Sequence, residues 1–151
     1  MFSGTLRILA CCSRPTPHVM QQELLNNAWK NQEVDWQQLL TLAEKHGMVL
    51  LLAFHLEEAG ISVPRGMQRS LTLMLDTQRR LHSIRQNLLA RIEGLLAESS
   101  IELAVLKGAA VCLQVYPEPW LRPMGDMDLF LTREDACRAH SFLLENGWKM
   151  T

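Results

Sequence analysis

The sequence predicts an α+β chain, a helical N-terminal region followed by the first part of a sheet with flanking helices. Three observations predict it. From Pro15 to about Ser99, apolar residues recur mostly at steps of three and four, the helical period. At residue 101 the period changes, and two short apolar runs, 101–106 and 127–131, read as strands. Between them, Tyr116 to Gly125 (YPEPWLRPMG) carries three prolines and must be a loop. The expected division is a helical region over residues 1–100 and a sheet-bearing region over 101–151.

Composition limits what such a chain can be. Of its 151 residues, 48% are apolar and 21% charged, enough for a sizeable core and unlike a disordered chain. Fifteen Lys+Arg balance sixteen Asp+Glu, for a formal charge of -1, so net charge gives no indication of a nucleic-acid partner. No apolar run approaches the roughly 18 residues of a membrane span, and no membrane partner is expected. The four cysteines, Cys11, Cys12, Cys112 and Cys137, contain no C-x-x-C spacing and read as reduced thiols of a cytoplasmic protein.

The elements follow in order. Leu6 to Cys12 (LRILACC) has an apolar run shorter than the roughly 7–15 residues of a signal core and reads as an amphipathic helix start. Residues 18 to 30 form a weakly patterned helix. Asp35 is an N-cap, followed by Trp36, Leu39, Leu40 and Ala43. Gly47 divides that stretch from a second helix, Met48 to Ala59, which stops at Gly60. Pro64 suits the first position of the next helix. There Leu71, Leu75, Leu81, Ile84, Leu88, Ile92, Leu95 and Leu96 form one apolar stripe, with Arg79, Arg80, Arg85 and Arg91 largely off it on a solvated face. Ile101 to Leu106 is a strand that ends at Lys107-Gly108, and Ala109 to Val115 a short helix. After the proline-rich loop come a second strand at 127–131, an N-cap at Thr132, and a helix that ends at Asn146-Gly147. Trp148 to Thr151 would begin a third strand.

The chemistry concentrates in Gly125-Asp126-Met127-Asp128-Leu129-Phe130-Leu131. Strand side chains alternate, so Asp126 and Asp128 share a face. Two adjacent carboxylates repel, and a divalent cation resolves the repulsion, because Mg²⁺ takes carboxylates together with substrate phosphates. In isolation an Asp-x-Asp reads as a solvated strand edge. Here it follows a strand that ends in Lys107-Gly108 and runs into a helix, where a glycine lets backbone amides approach phosphate. Lys107 and Arg122 could add positive charge. Alternatively Lys107 is a solvated strand-end lysine, and Arg122 forms a salt bridge to the same aspartates.

Leu106-Lys107-Gly108-Ala109-Ala110, Tyr116-Pro117-x-Pro119 and Arg122-Pro123-Met124-Gly125-Asp126-Met127-Asp128-Leu129 together closely resemble the uncharacterised nucleotidyltransferase family, of the DNA polymerase beta-like superfamily. Val34-Asp35-Trp36, with Leu39-Leu40-x-Leu42-Ala43, resembles that family's helical N-terminal region. The resemblance implies a nucleotidyltransferase-type mixed sheet backed by helices. It implies Asp126 and Asp128 as catalytic, metal-binding acids, and Gly108 as the glycine of the phosphate-binding turn. Lys107, Gly108, Ala109 and Arg122 would bind the nucleotide. Two Mg²⁺ ions would organise a nucleoside triphosphate for attack by an acceptor hydroxyl, releasing pyrophosphate. The acceptor itself is not legible.

Three departures accompany the resemblance. Ala109 stands where the superfamily turn usually carries Ser or Gly. The gap from Gly108 to Asp126 is longer than in minimal members. The superfamily's third carboxylate, on a later strand, has no counterpart: Glu134, Asp135 and Glu145 all fall in the predicted helix. The expectation is a C-terminally truncated nucleotidyltransferase with weak or absent catalysis. The alternatives are a non-catalytic nucleotide-binding or interaction module that keeps the fold, and a structural helical protein with a solvated Asp-x-Asp. The histidines have no zinc-hydrolase spacing, and Cys137 with His140 makes only two ligands.

Overall fold

Each helix of the N-terminal half follows from its apolar spacing and its end signals. The computed structural model describes residues 4–16, 18–30 and 34–149. The first helix, α1 (Gly4–Cys11), buries Ile8 and Leu9, and Cys12 is buried just beyond it, as the amphipathic reading of LRILACC predicts. The weakly patterned α2 (Val19–Lys30) buries Leu25 and exposes Val19, Met20 and Leu24. Asp35 caps α3 (Trp36–Lys45), its Oδ1 accepting the Gln38 N–H at 3.0 Å. Gly47, at φ +65°, turns the chain into α4 (Val49–Glu58). That helix is buried from Val49 through Ala53 and again at His55 and Leu56, so it forms the hub of the first core. His55 is satisfied within the core, its Nε2 lying 2.7 Å from the Arg14 carbonyl oxygen.

The strongest sequence period becomes α5 (Arg65–Glu98), a helix of 34 residues and about 51 Å. Pro64 stands one position earlier than expected, as the residue flanking the helix. Leu71 and Leu75 pack into the first core, with Ile8, Leu25, Leu39 and Leu52. Ile92 and Leu96 pack into a second, with Ile101 and Ala139. Between these ends Leu81 and Ile84 are exposed, so the stripe is buried at its two ends only.

The sheet-bearing part is short. Strand β1 (Ala104–Leu106) runs without a connector into α6 (Lys107–Val115), and β2 (Asp128–Phe130) precedes α7 (Arg133–Glu145). The strands are antiparallel, pairing Ala104 with Phe130, Val105 with Leu129 and Leu106 with Asp128. The expected strand at 101–106 is thus shortened at its start, where Ile101 serves the second core instead. Thr132 caps α7, its Oγ1 accepting the Asp135 N–H at 3.1 Å. Gly147, at φ +83°, then turns Trp148 back onto the second core. The third strand expected from Trp148 does not form over Trp148 and Lys149. Met150 and Thr151 lie outside the described residues.

The two cores interleave along the chain. The loop before β2 contains a 3₁₀ turn, Pro119–Leu121, whose Leu121 is fully buried in the first core with Tyr116 and Trp120 packed beside it. Among the described residues no helix is long and apolar enough to cross a membrane.

Leu121→Ala is expected to destabilise the protein by about 2–5 kcal/mol, through lost burial and the cavity it leaves. Ile84→Ser, on the bare stretch of α5, is expected to stay within about 0.5 kcal/mol of the parent. Urea unfolding of both variants checks the pair.

Candidate functional site

The site is assembled where β1 hands over to α6, beside the first residue of β2. Register places Leu106 opposite Asp128, so the next residue, Lys107, begins α6 within reach of that carboxylate. Lys107 Nζ lies 3.1 Å from Asp128 Oδ1. Both side chains are accessible, at 73% for Lys107 and 37% for Asp128, so the pair is screened by water and weak. Lys107 also sits at φ +48°, a left-handed conformation that costs a residue with a Cβ about 1 kcal/mol. The turn into the helix is therefore made by the lysine. Gly108 has ordinary room around it: a methyl group built there would meet Met124 Sδ at 3.5 Å and Arg122 Nε at 3.7 Å.

Arg122 is held by its predecessor, Leu121, whose burial fixes where the loop passes α6. Its Nε is buried and finds no hydrogen-bond partner among the described residues. A buried donor without a partner is costly and marks a place where an acceptor is missing. The guanidinium also acts on Cys112, in the second turn of α6. Burial raises that thiol's pKa, and the charge of Arg122 partly offsets the rise. Of the two readings open for Arg122, the salt bridge to the aspartates does not form among the described residues; the cation on Asp128 is Lys107. The Lys107–Asp128 contact was not visible in the sequence, because it depends on strand register.

The N-terminus of α6 adds a third source of positive potential. Leu106 precedes it without a side-chain cap, so the first-turn amides receive no side-chain acceptor from the cap residue. Asp128 meets the first residue of this helix through Lys107, and Asp126 is exposed in the loop before β2. Asp128 opens β2, which is shorter than the expected strand at 127–131, and Asp126 lies in the loop two residues before it, so strand alternation does not set the face it shares with Asp128. Ala109 is buried in the first turn of α6 and supplies only its backbone.

Hard oxygen donors of this kind suit Mg²⁺, and two carboxylates leave coordination positions for water and phosphate oxygens. Asp126 and Asp128 would be two of the oxygen donors to such an ion. Among the described residues no group of three His, Cys, Asp or Glu side chains is placed to hold a metal. The acids after Asp128 are engaged or distant in role. Asp135 accepts from Thr132 Oγ1 at 2.9 Å and from Arg138 at 2.8 Å, while Glu134 and Glu145 lie exposed on α7. A cleft of about 430 Å³ between α3, α4 and α5 touches this loop through Pro123.

Sequence reasoning missed the anchoring role of Pro119-Trp120-Leu121. Trp120 carries the Arg79 guanidinium 4.4 Å from its ring centroid, which ties the loop to α5. The signal was present: a large aromatic and a leucine between prolines have reason to be there only if they are buried.

Compared with known proteins, the chain matches the family model described as "Uncharacterised nucleotidyltransferase" over residues 32–151. No curated protein and no solved structure matches it.

Because the Arg122 donor is desolvated without a partner, Arg122→Met is expected to leave ligand-free stability unchanged or raise it by about 1 kcal/mol. Chemical denaturation checks this. The cysteines separate equally plainly: burial pushes the Cys12 thiol up to about 12, whereas Cys137 is exposed. At pH 8 a maleimide is expected to label Cys137 in the native protein and Cys12 only after unfolding, read by mass spectrometry.

Proposed function

Since the chain belongs to the uncharacterised nucleotidyltransferase family, we propose that it binds a nucleoside triphosphate together with Mg²⁺ at the β1–α6–β2 junction, without turning it over by itself. The observation that carries the reading is the charge layout. Lys107 meets Asp128 at 3.1 Å, Arg122 carries a buried unpartnered Nε and α6 starts without a side-chain cap; these cations and amides would serve phosphate, and Asp126 and Asp128 would serve the cation. Binding without turnover is favoured because the carboxylate pair is joined by no third acid among the described residues.

Each residue has a separate task. Asp126 and Asp128 would hold the cation, which supplies charge neutralisation between the β- and γ-phosphate oxygens. Arg122 would donate its buried Nε–H to a phosphate oxygen, which removes an unsatisfied donor and adds a charge-assisted hydrogen bond. Gly108 and Ala109 would offer backbone N–H groups at the first turn of α6. Lys107 would turn its ammonium from Asp128 to the phosphates. Phosphate-directed contacts of this kind position a triphosphate, and positioning with charge neutralisation accounts for most of phosphoryl-transfer catalysis.

The second reading is transfer of a nucleoside monophosphate to an acceptor hydroxyl, with release of pyrophosphate, as a cytoplasmic enzyme. Family membership favours it. It requires a third acid beside the pair.

The Asp126→Asn, Asp128→Asn double variant is expected to lose Mg²⁺-dependent ATP binding while remaining as stable as the parent or slightly more so, since a like-charge repulsion is relieved. Equilibrium dialysis with labelled ATP, alongside thermal melting, reads both. Unchanged ATP affinity in the double variant would sink either reading. Pyrophosphate released by the parent chain would replace the first reading with the second.

A further inference from the structure

Resting on the triphosphate-binding reading above, we propose that Lys107 is an exchangeable counter-cation, which holds the carboxylate of Asp128 before ligand arrives and gives it up when ligand binds. Three observations carry this. First, the ammonium sits 3.1 Å from Asp128 Oδ1, on one of the oxygens a divalent cation would use. An ammonium on that oxygen and a metal on the same carboxylate repel each other, so each weakens the other's hold on Asp128. Second, the pair is open to water on both sides, so it can exchange without unfolding anything.

Third, the backbone fixes where the ammonium can go. Lys107 is the first residue of α6, joined directly to the strand residue that pairs with Asp128. Its left-handed φ makes the turn there, so the side chain starts from a defined point between the carboxylate and the helix N-terminus. A cation beside a helix N-terminus is unfavourable unless an anion accompanies it. Before ligand binds Asp128 is that anion; with ligand bound a phosphate would take its place. Arg122 does not relieve Lys107 of this role, since its Nε makes no hydrogen bond among the described residues.

An exchange of partners predicts opposite effects on two ligands. A lysine that only binds phosphate would, when removed, weaken the triphosphate and leave the bare metal alone. A lysine that only braces the fold would weaken both. A counter-cation competes with the metal and assists the phosphate, so its removal tightens one and loosens the other.

The test titrates Mn²⁺ into the nucleotide-free full chain and reads free Mn²⁺ by electron paramagnetic resonance. ATP binding at saturating Mg²⁺ is measured by equilibrium dialysis. The variants are Lys107→Met, Lys107→Gly, Lys107→Arg and Asp128→Asn. Lys107→Gly removes the charge and also relieves the left-handed φ, so it reports even if the methionine variant folds poorly. Both neutral variants are expected to bind Mn²⁺ about threefold more tightly, the size of a lost exposed ion pair. They are expected to bind ATP about tenfold more weakly, the size of one charge-assisted hydrogen bond. Lys107→Arg, which keeps the cation, is expected to hold both constants near the parent's. Mn²⁺ affinity unchanged or weakened in the neutral variants, while Asp128→Asn loses Mn²⁺ binding, overturns this proposal alone. Mn²⁺ affinity unchanged in Asp128→Asn overturns the underlying assignment of the site, and this proposal with it.

Discussion

One rigid helix serves two cores, and the arrangement of the site depends on it. Leu71 and Leu75 near the start of α5 are committed to the helical core, and Ile92 and Leu96 near its end to the core beneath the strands. About 25 Å of helix separates Leu75 from Ile92 at 1.5 Å per residue. That spacing sets how far apart the cores stand, and the proline-rich loop has to bridge it. It does so by sinking Leu121 into the first core and laying Trp120 against Arg79 of α5. Arg122 and the aspartates follow directly, so their positions derive from burial chemistry several residues away. A loop with three prolines is suited to this, because it loses little conformational freedom when pinned.

The site itself runs against stability at two points. Lys107 occupies a left-handed conformation, and Arg122 buries a donor without an acceptor. Neither is offset by a strong local interaction: the Lys107–Asp128 pair is exposed. Strain and unsatisfied polar atoms gather where a protein handles a ligand, since the ligand supplies the missing partners. By contrast His55, buried in the helical core, has its Nε2 2.7 Å from the Arg14 carbonyl oxygen. That contrast between a settled core and an unsettled junction is the physical argument for placing function at the β1–α6–β2 corner.

Much of the fold was legible because the signals are local. Asp35 and Thr132 cap their helices with side-chain oxygens, and Gly47, Gly60 and Gly147 take the positive φ at which helices end. These depend on residues three or four apart. The α5 stripe was legible as a helix but not as a burial pattern. Leu81 and Ile84 continue the period yet face solvent, since periodicity states which side is apolar and not where a neighbour is available. Similarly, the apolar run from Ile101 looked like one strand, yet only Ala104–Leu106 pairs, because Ile101 is claimed by the second core.

For the site, the sequence by itself determined the inventory: two aspartates flanking Met127, a Lys-Gly junction ahead of a helix, and Arg122 in a proline-rich loop. It also determined the family, whose model matches residues 32–151. Only the tertiary structure decided which cation meets which carboxylate. Lys107 and Asp128 are 21 residues apart, and they meet because antiparallel pairing sets Leu106 against Asp128. Arg122 is much nearer in sequence, but the burial of Leu121 directs it toward Gly108 and Cys112. Residue chemistry is a local property, whereas register and burial are collective ones, settled only when strands pair and cores close.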